Sequence, residues 1–423
     1  MVATTSATEA PLTTADGTPL KTSLRRAQRR NKIRAFLLVL PLLTFLGITF
    51  LVPIFDMIFR SVENEIVGDV LYRTVPMLQQ WDETSGELPP DEVYQALVQD
   101  ILEGKENNTI GKVGTRLNYE LSGMSSAFRS APRKMGKITE PPYKDAVIKT
   151  NDAWGDIDTW KLIKRESGRF TPSYFLAAID MTQDPNGAIV SQPENRQIYV
   201  KLFVRTLWLS ALITFLCLVL GYPISFILAT VPTRTSNLLM ILVLLPFWTS
   251  LLVRTTAWIA LLQQEGVIND LLVWTGLVGD NNRLELVHNQ IGTVVAMTHI
   301  LLPFMVLPLF SVMKTIPPSY MRAARSLGAN PFLAFVRIYV PQTVPGIGAG
   351  GILCFIIAIG YYITPALVGG TTGTLISNFI AYHMSVSLNW GLAAALGAIL
   401  LGLVLVLYLL YDKIVGIDNM KLG

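Results

Sequence analysis

The sequence predicts an all-α membrane protein with six transmembrane helices and one large extramembranous insertion after the first. Three observations carry this: half of the 423 residues are hydrophobic while 15% are charged, no Asp, Glu, Lys or Arg occurs from Ile338 to Tyr411, and the apolar runs are long enough to cross a bilayer. Requiring about 20 apolar residues for a hydrocarbon layer of about 30 Å places the spans near Ala35 to Phe59, Leu202 to Val231, Asn237 to Leu262, Ile291 to Met313, Gly346 to Val368 and Trp390 to Tyr411.

Basic residues orient these spans, because short loops rich in Lys and Arg stay in the cytoplasm. Lys21, Arg25, Arg26, Arg29, Arg30, Lys32 and Arg34 precede the first span, so residues 1–34 read as a cytoplasmic basic tail ahead of a helix at 35–59. An even number of crossings returns the C-terminal tail, 413–423, to the same side, where Lys413 and Lys421 agree. The loop after the fourth span carries Lys314, Arg322, Arg325 and Arg337 with no acid between them and also falls inside. The first twenty residues are polar and the first apolar run is too long for a signal core, so that run reads as an uncleaved anchor.

The polar stretch at 60–198 holds Trp81, Trp154 and Trp160, several prolines and mixed charge, and is expected to be external and at least partly folded. Helices are expected from Asp91 to Leu102 and from Thr171, with Pro172 at a first helical position. Asn107-Asn108-Thr109 matches a glycosylation sequon but reads better as a polar turn.

Several function classes lose support. The net charge of +4 comes from Lys and Arg beside apolar segments, so nucleic acid is not an expected partner. Cys217 and Cys354 both fall inside spans, which favours packing over a disulfide or metal site. Gly346-Ile347-Gly348-Ala349-Gly350-Gly351 fits a dinucleotide fingerprint but opens a membrane helix, where close helix packing is the better account. No cofactor or metal is expected. No phosphate-binding loop is present either, so ATP hydrolysis would need a separate chain.

The inner loop has the most definite local shape. Pro317-Pro318 favours a helix start, Gly328 suits the left-handed position that ends one, and Asn330-Pro331 caps and opens a second helix that Pro341 is expected to stop before the next span. Ala323 and Ala324 leave one face of the first helix shallow. The result would be a rigid bihelical lever joined to membrane helices at both ends.

At these residues the chain resembles a known family. The spacing of Ala323, Ala324, Gly328, Ile338, Val340 and Pro341 is similar to the EAA motif of ABC importer permeases, with Arg322 where the family usually has Glu and Val340 where Leu is common. Arg205-Thr206-Leu207, Gly221-Tyr222-Pro223, the run from Leu245 to Thr255 and the run from Gly360 to Gly370 resemble the spermidine/putrescine permease group, over roughly Phe170 to Tyr411 plus the first span. The resemblance implies a type I ABC importer permease fold with a five-helix permease core at 199–412, and the charge topology puts the large insertion after the first helix on the periplasmic side. It also implies that the cytoplasmic coupling loop 314–345 docks on a cytoplasmic ABC ATPase dimer through Arg322, Ala323, Ala324, Gly328, Ile338 and Pro341. It further implies a second homologous permease, a periplasmic substrate-binding protein and a multi-pass place in the lipid of a bacterial inner membrane. Polyamine is the leading substrate, with an opine, an aminophosphonate or an amino-acid derivative behind it. The insertion lies outside the resemblance.

Within the spans, Trp248, Trp258, His299, Tyr361 and Tyr362 are the candidate path residues. Aromatics can hold an ammonium chain by cation-π contacts of about 0.5 to 2 kcal/mol each, though interfacial aromatics more often anchor a helix. Bonding freed carbonyls at the Pro246 break, or snorkelling, is the preferred account of Arg254, and a hydrogen bond to a neighbouring helix that of His299. Asp56 reads as a solvated interfacial acid. Leu375 to Val386, with Asn378, Tyr382 and His383, is expected to be a short interfacial helix that contacts the binding protein. Two rival readings come from other classes: a gradient-driven secondary transporter or channel, which should show paired intramembrane acids or inverted repeats, and a membrane scaffold whose external segment is the working part.

Overall fold

The computed structural model describes residues 20–415. Residues 1–19 and 416–423 of the predicted tails lie outside the described residues, as do the side chains of Lys21, Arg25 and Arg26 and the whole of Lys421. Among the described residues five helices are long and apolar enough to cross a membrane, and a bent pair raises the count to six.

The first span, Ala27–Arg60, belongs for most of its length to a unit of its own, Met1–Phe59. Its apolar side chains face outward, with Leu38 83% exposed, as expected of a helix solvated by lipid. A π turn at Gly47–Leu51 interrupts it just before Pro53. Proline has no N–H and its ring crowds the carbonyl of the preceding turn, and one widened turn absorbs both defects without a break.

In the second unit, Arg60–Gly423, the insertion folds around its own aromatic core. The chief helices are Asp91–Glu106, Ile110–Asn118, Met124–Met135 and Ile157–Arg165. Apolar side chains at helical spacing, Val93, Leu97 and Ile101 among them, turn one face of the first inward. Trp154 and Trp160 are fully buried, with Tyr94 edge-on to Trp160 at 4.6 Å and Phe128 edge-on to Trp154 at 5.1 Å. The Trp154 carbonyl accepts from the Tyr94 hydroxyl and from Trp160 Nε1, each at 3.0 Å. The buried Asp100 is satisfied by the amide and hydroxyl of Thr74, both at 2.8 Å, and by Arg73. Asn107 ends the first helix and Asn108 takes φ +56°, so the sequon is a polar turn. The helix expected from Thr171 begins at Ser173, where the Thr171 hydroxyl accepts the Ser173 amide.

The membrane core is built from the second span (Tyr199–Thr230), the fourth (Gln290–Thr315) and the fifth (Pro331–Gly360), with the sixth (Trp390–Lys413) alongside. Cys217 Sγ donates to the Thr298 carbonyl and Ser225 Oγ to the Val306 carbonyl, an equal step on both helices, so the second and fourth spans run parallel. The fifth is antiparallel to the fourth: Gly346 faces Leu309, Gly350 faces Met305, and Cys354 Sγ donates to the Leu301 carbonyl. A Cβ at Gly350 would lie 2.8 Å from Met305 Sδ. This is small-residue packing, with Cys354 and Ala358 extending the stripe, and both cysteines are buried packing residues.

Two expected span boundaries are corrected. The third span does not cross straight: Thr233–Trp248 and Leu251–Trp274 meet at 97°. Pro246 leaves carbonyls without amide donors, and the extended Thr249 and Ser250 turn the chain there. The fifth runs from Pro331 to Gly360 instead of Gly346 to Val368. Pro341 does not stop the lever's second helix, because a π turn at Phe335–Tyr339 carries it into the span and the Gln342 side chain donates to the Ile338 carbonyl at 2.6 Å. At the far end Tyr361 is extended and a separate helix, Ile363–Val368, takes Pro365 in its first turn.

Asp180 joins the insertion to the core, and buried polar groups order both sides of that joint. Asp180 accepts the amides of Ile198, Tyr199 and Val200 at 2.9 to 3.0 Å and so caps the second span, while Asn389 caps the sixth through the Leu392 amide. Arg116 bonds Glu166 at 2.5 Å, Asn64 at 3.0 Å and Glu120 at 3.1 Å, with the Tyr174 ring 4.7 Å away. Burial works against its charge, but Glu166, Tyr174 and Glu120 more than offset it and raise the pKa above the ordinary arginine value.

Candidate transport path and coupling element

Local chemistry builds the lever as its sequence implies. The helix Pro318–Ser326 ends in a Schellman arrangement: the Ala329 amide reaches the Ala324 carbonyl, the Gly328 amide reaches the Arg325 carbonyl, and Gly328 sits at φ +89°. Asn330 Oδ1 then accepts the Leu333 amide at 2.6 Å with Pro331 at the first helical position. Its root is locked to the C-terminal end of the second span. Phe335 stacks on Tyr339 at 5.5 Å, Phe226 is edge-on to both, and the Tyr222 hydroxyl lies 3.2 Å from Thr343 Oγ1.

The lever's tip is bare. Leu327 is 90% exposed and Phe332 76%, Ala323 is exposed beside a half-buried Ala324, and Arg322 and Arg325 make no ion pair among the described residues. Ile338 and Pro341 lie in or directly after the π turn at the root, away from the tip. Exposed apolar side chains on a rigid turn are what a docking element presents.

Of the candidate path residues, the structure unites two. Trp258 Nε1 donates to His299 Nδ1 at 3.1 Å, so His299 bonds a neighbouring helix as expected. His299 also borders an apolar hollow of about 390 Å³ formed with Ile224, Leu242 and Pro303. Trp248, 72% exposed, and the exposed ring of Tyr362 are not drawn into that pair, and Tyr361 packs in the core cluster beside the second span. The Tyr361 and Tyr362 carbonyls instead accept from Ser377 Oγ at 2.6 Å and Asn378 Nδ2 at 2.7 Å, which ties the helix Ile376–Ser385 to the end of the fifth span. Thr255 and Thr364, 3.2 Å apart through their hydroxyls, link the bent third span to the same region. Sequence reasoning did not single out Ser377, Thr255 or Thr364, because nothing local marks a hydroxyl that will meet a distant carbonyl.

Arg254 holds the bend. Its guanidinium donates to the Pro246 carbonyl, to the Thr249 carbonyl at 3.0 Å and to Thr249 Oγ1 at 3.4 Å. Replacing it with Ala leaves the Pro246 carbonyl with the Thr249 hydroxyl at 2.9 Å but removes the charged donor from the Thr249 carbonyl, a hydrogen bond to a charged group being worth about 1.5–3 kcal/mol. Arg254→Ala is expected to lower the melting temperature of the detergent-solubilised protein and to reduce uptake, with Arg254→Lys intermediate because an ammonium cannot fork between two acceptors. Equal melting of wild type and Arg254→Ala would remove this role.

The comparisons with known proteins concern this same core. The family model described as "Binding-protein-dependent transport system inner membrane component" matches residues 190–415. The chain belongs to that family. It is a membrane transport subunit rather than an enzyme, a multi-pass inner-membrane permease with the type I fold. Among curated relatives, the spermidine/putrescine transport system permease protein PotB of Escherichia coli (strain K12) is 34% identical over 214 residues, covering 50% of this chain and 77% of that one. PotB of Haemophilus influenzae is 33% identical over 220 residues, covering 51% and 76%. The inner membrane ABC transporter permease protein YdcU of Escherichia coli (strain K12) is 31% identical over 228 residues, covering 51% and 71%. Among solved structures, a bacterial ABC transporter for import of the acidic polysaccharide alginate aligns with a TM-score of 0.41 at 20% identity, covering 54% of this chain and 82% of that one.

Proposed function

We propose that this permease carries polyamines, spermidine or putrescine, across the inner membrane as one half of a permease pair. A cytoplasmic ABC ATPase dimer drives it and a periplasmic binding protein delivers the cargo. The observation that carries the coupling role is the bare, rigidly rooted turn at Gly328, at the opposite end of the core from the insertion. Basic residues on both flanks of the spans support a cytoplasmic lever, both termini inside and a periplasmic 60–198 insertion. The substrate class rests on the likeness to the PotB proteins.

ATP binding closes the ATPase dimer, the lever moves with it through Arg322, Ala323, Ala324 and Gly328, and the root at Ile338 and Pro341 tilts the fifth span. The two states differ in affinity for the loaded binding protein, and that difference sets the direction of transport. Trp258 with His299, then Tyr361, Tyr362 and Trp248, border the proposed route. The test is uptake of labelled spermidine into proteoliposomes holding the pair and its ATPase: accumulation that needs both ATP and the binding protein is expected, and accumulation driven by an ion gradient alone would refute it.

A further inference from the structure

The face of the insertion around the helix Met124–Met135 carries charge of one sign. Arg129 and Arg133 stand one turn apart on it, and two shallow concavities flank them. Lys134 closes one and Lys105 the other, with Ser126 and Ser130 between, and no carboxylate lines either. All four basic side chains are exposed and none makes an ion pair among the described residues. Elsewhere on the insertion Arg73, Arg116, Lys164, Arg165 and Arg169 are each paired with an acid. Acids outnumber bases over residues 60–198, yet none occurs from Leu121 to Thr139. Arg133 and Lys134 suit the last turn of the helix, whereas Arg129, a turn earlier and repelled by Arg133, gains nothing there.

The patch lies beside the outer end of the core. Ser122, just before this helix, accepts from Arg196 at 2.5 Å, and the Tyr119 hydroxyl points to the Ser387 carbonyl at 3.5 Å. We propose that this basic face receives an acidic surface of the soluble binding protein and sets how fast and in what orientation it docks. This rests on the importer reading above. A positive face beside the mouth repels a free polycation, so it suits an acidic protein surface and not the cargo itself. Complementary charge of this kind acts mainly on encounter and register. A lipid headgroup surface fits less well, since interfacial binding pairs basic residues with exposed aromatic or aliphatic side chains, and the large hydrophobic residue that borders the second concavity, Ile110, is buried.

The experiment uses the full permease pair with its ATPase in nanodiscs and the purified binding protein loaded with spermidine. Wild-type affinity should fall about tenfold or more between low and high salt, as for a contact dominated by exposed charge. Arg129→Glu with Arg133→Glu should weaken binding about tenfold at low salt and flatten that dependence, and Arg129→Gln with Arg133→Gln should fall between, with basal ATPase activity unchanged. Unchanged affinity and salt slope in both variants, while wild type still binds and transports, would overturn the patch proposal alone. Failure of wild type to bind at low salt would overturn the importer reading with it. A loss seen only in discs of anionic lipid, absent in phosphatidylcholine, would assign the face to lipid and overturn the proposal.

Discussion

Gly328→Val is expected to abolish most transport while the protein still inserts and melts normally. At φ +89° the backbone lies where an L side chain is strained by about 1–2 kcal/mol, and a β-branched residue fits there worst. Nothing stands within 4 Å of a Cβ at this position, so the effect is conformational and not a clash. The chain relieves the strain by opening the turn, which rotates Leu327 and Phe332 away from their shared tip. A bias of that size corresponds to a factor of about 5–30 in the population of the docking-competent turn. Gly328→Asn should retain most uptake, because Asn tolerates the left-handed region. Reconstituted uptake with each variant checks this, and equal rates for Val and wild type would count against the lever.

The second large effect concerns stability. Gly370 has φ +53°, and a Cβ there would lie 2.0 Å from the His288 carbonyl oxygen, a backbone atom that cannot swing aside. The turn Gly370–Gly373 closes the core at the N-terminal ends of the second and fourth spans: the Gly373 carbonyl accepts from Thr293 Oγ1 at 3.0 Å, the Thr371 carbonyl from Arg205 at 2.9 Å, and Thr372 Oγ1 from the Gln290 amide at 3.2 Å. Overpacking and positive-φ strain together cost about 2–5 kcal/mol. Gly370→Ala should therefore lose most folded protein, or melt far below wild type, whereas Gly351→Ala, whose added methyl meets nothing within 4 Å, should not. A normal melting curve for Gly370→Ala would contradict the tight turn.

What could be foreseen divides by range along the chain. The lever was legible because Pro318, Gly328, Asn330 and Pro331 act on their own neighbours. The spans were legible because hydrocarbon sets their length. Pro341 misled because its defect is absorbed upstream, by a π turn whose residues carry no mark of it, and the same device precedes Pro53. The 97° bend was half visible: Pro246 announced a break and Arg254 its partner, but the angle follows from Thr249 and Ser250 turning extended. Long-range pairings were hidden, as with Trp258 and His299, or with Asp180 on its positive φ reaching forward to cap the second span. Of the five aromatic and imidazole groups singled out for a path, only those two meet, because residue type gives propensity for a role and not the azimuth on a helix.

The account's central claim is that the turn at Gly328 faces the cytosol and meets a separate ATPase. Ala324→Cys tests it most directly, since Cys217 and Cys354 are buried and give little background. In inverted vesicles stripped of ATPase, a membrane-impermeant maleimide should label Ala324→Cys, and adding back the ATPase should protect it. Labelling from the outside of intact spheroplasts, or labelling that the ATPase leaves untouched, would contradict it.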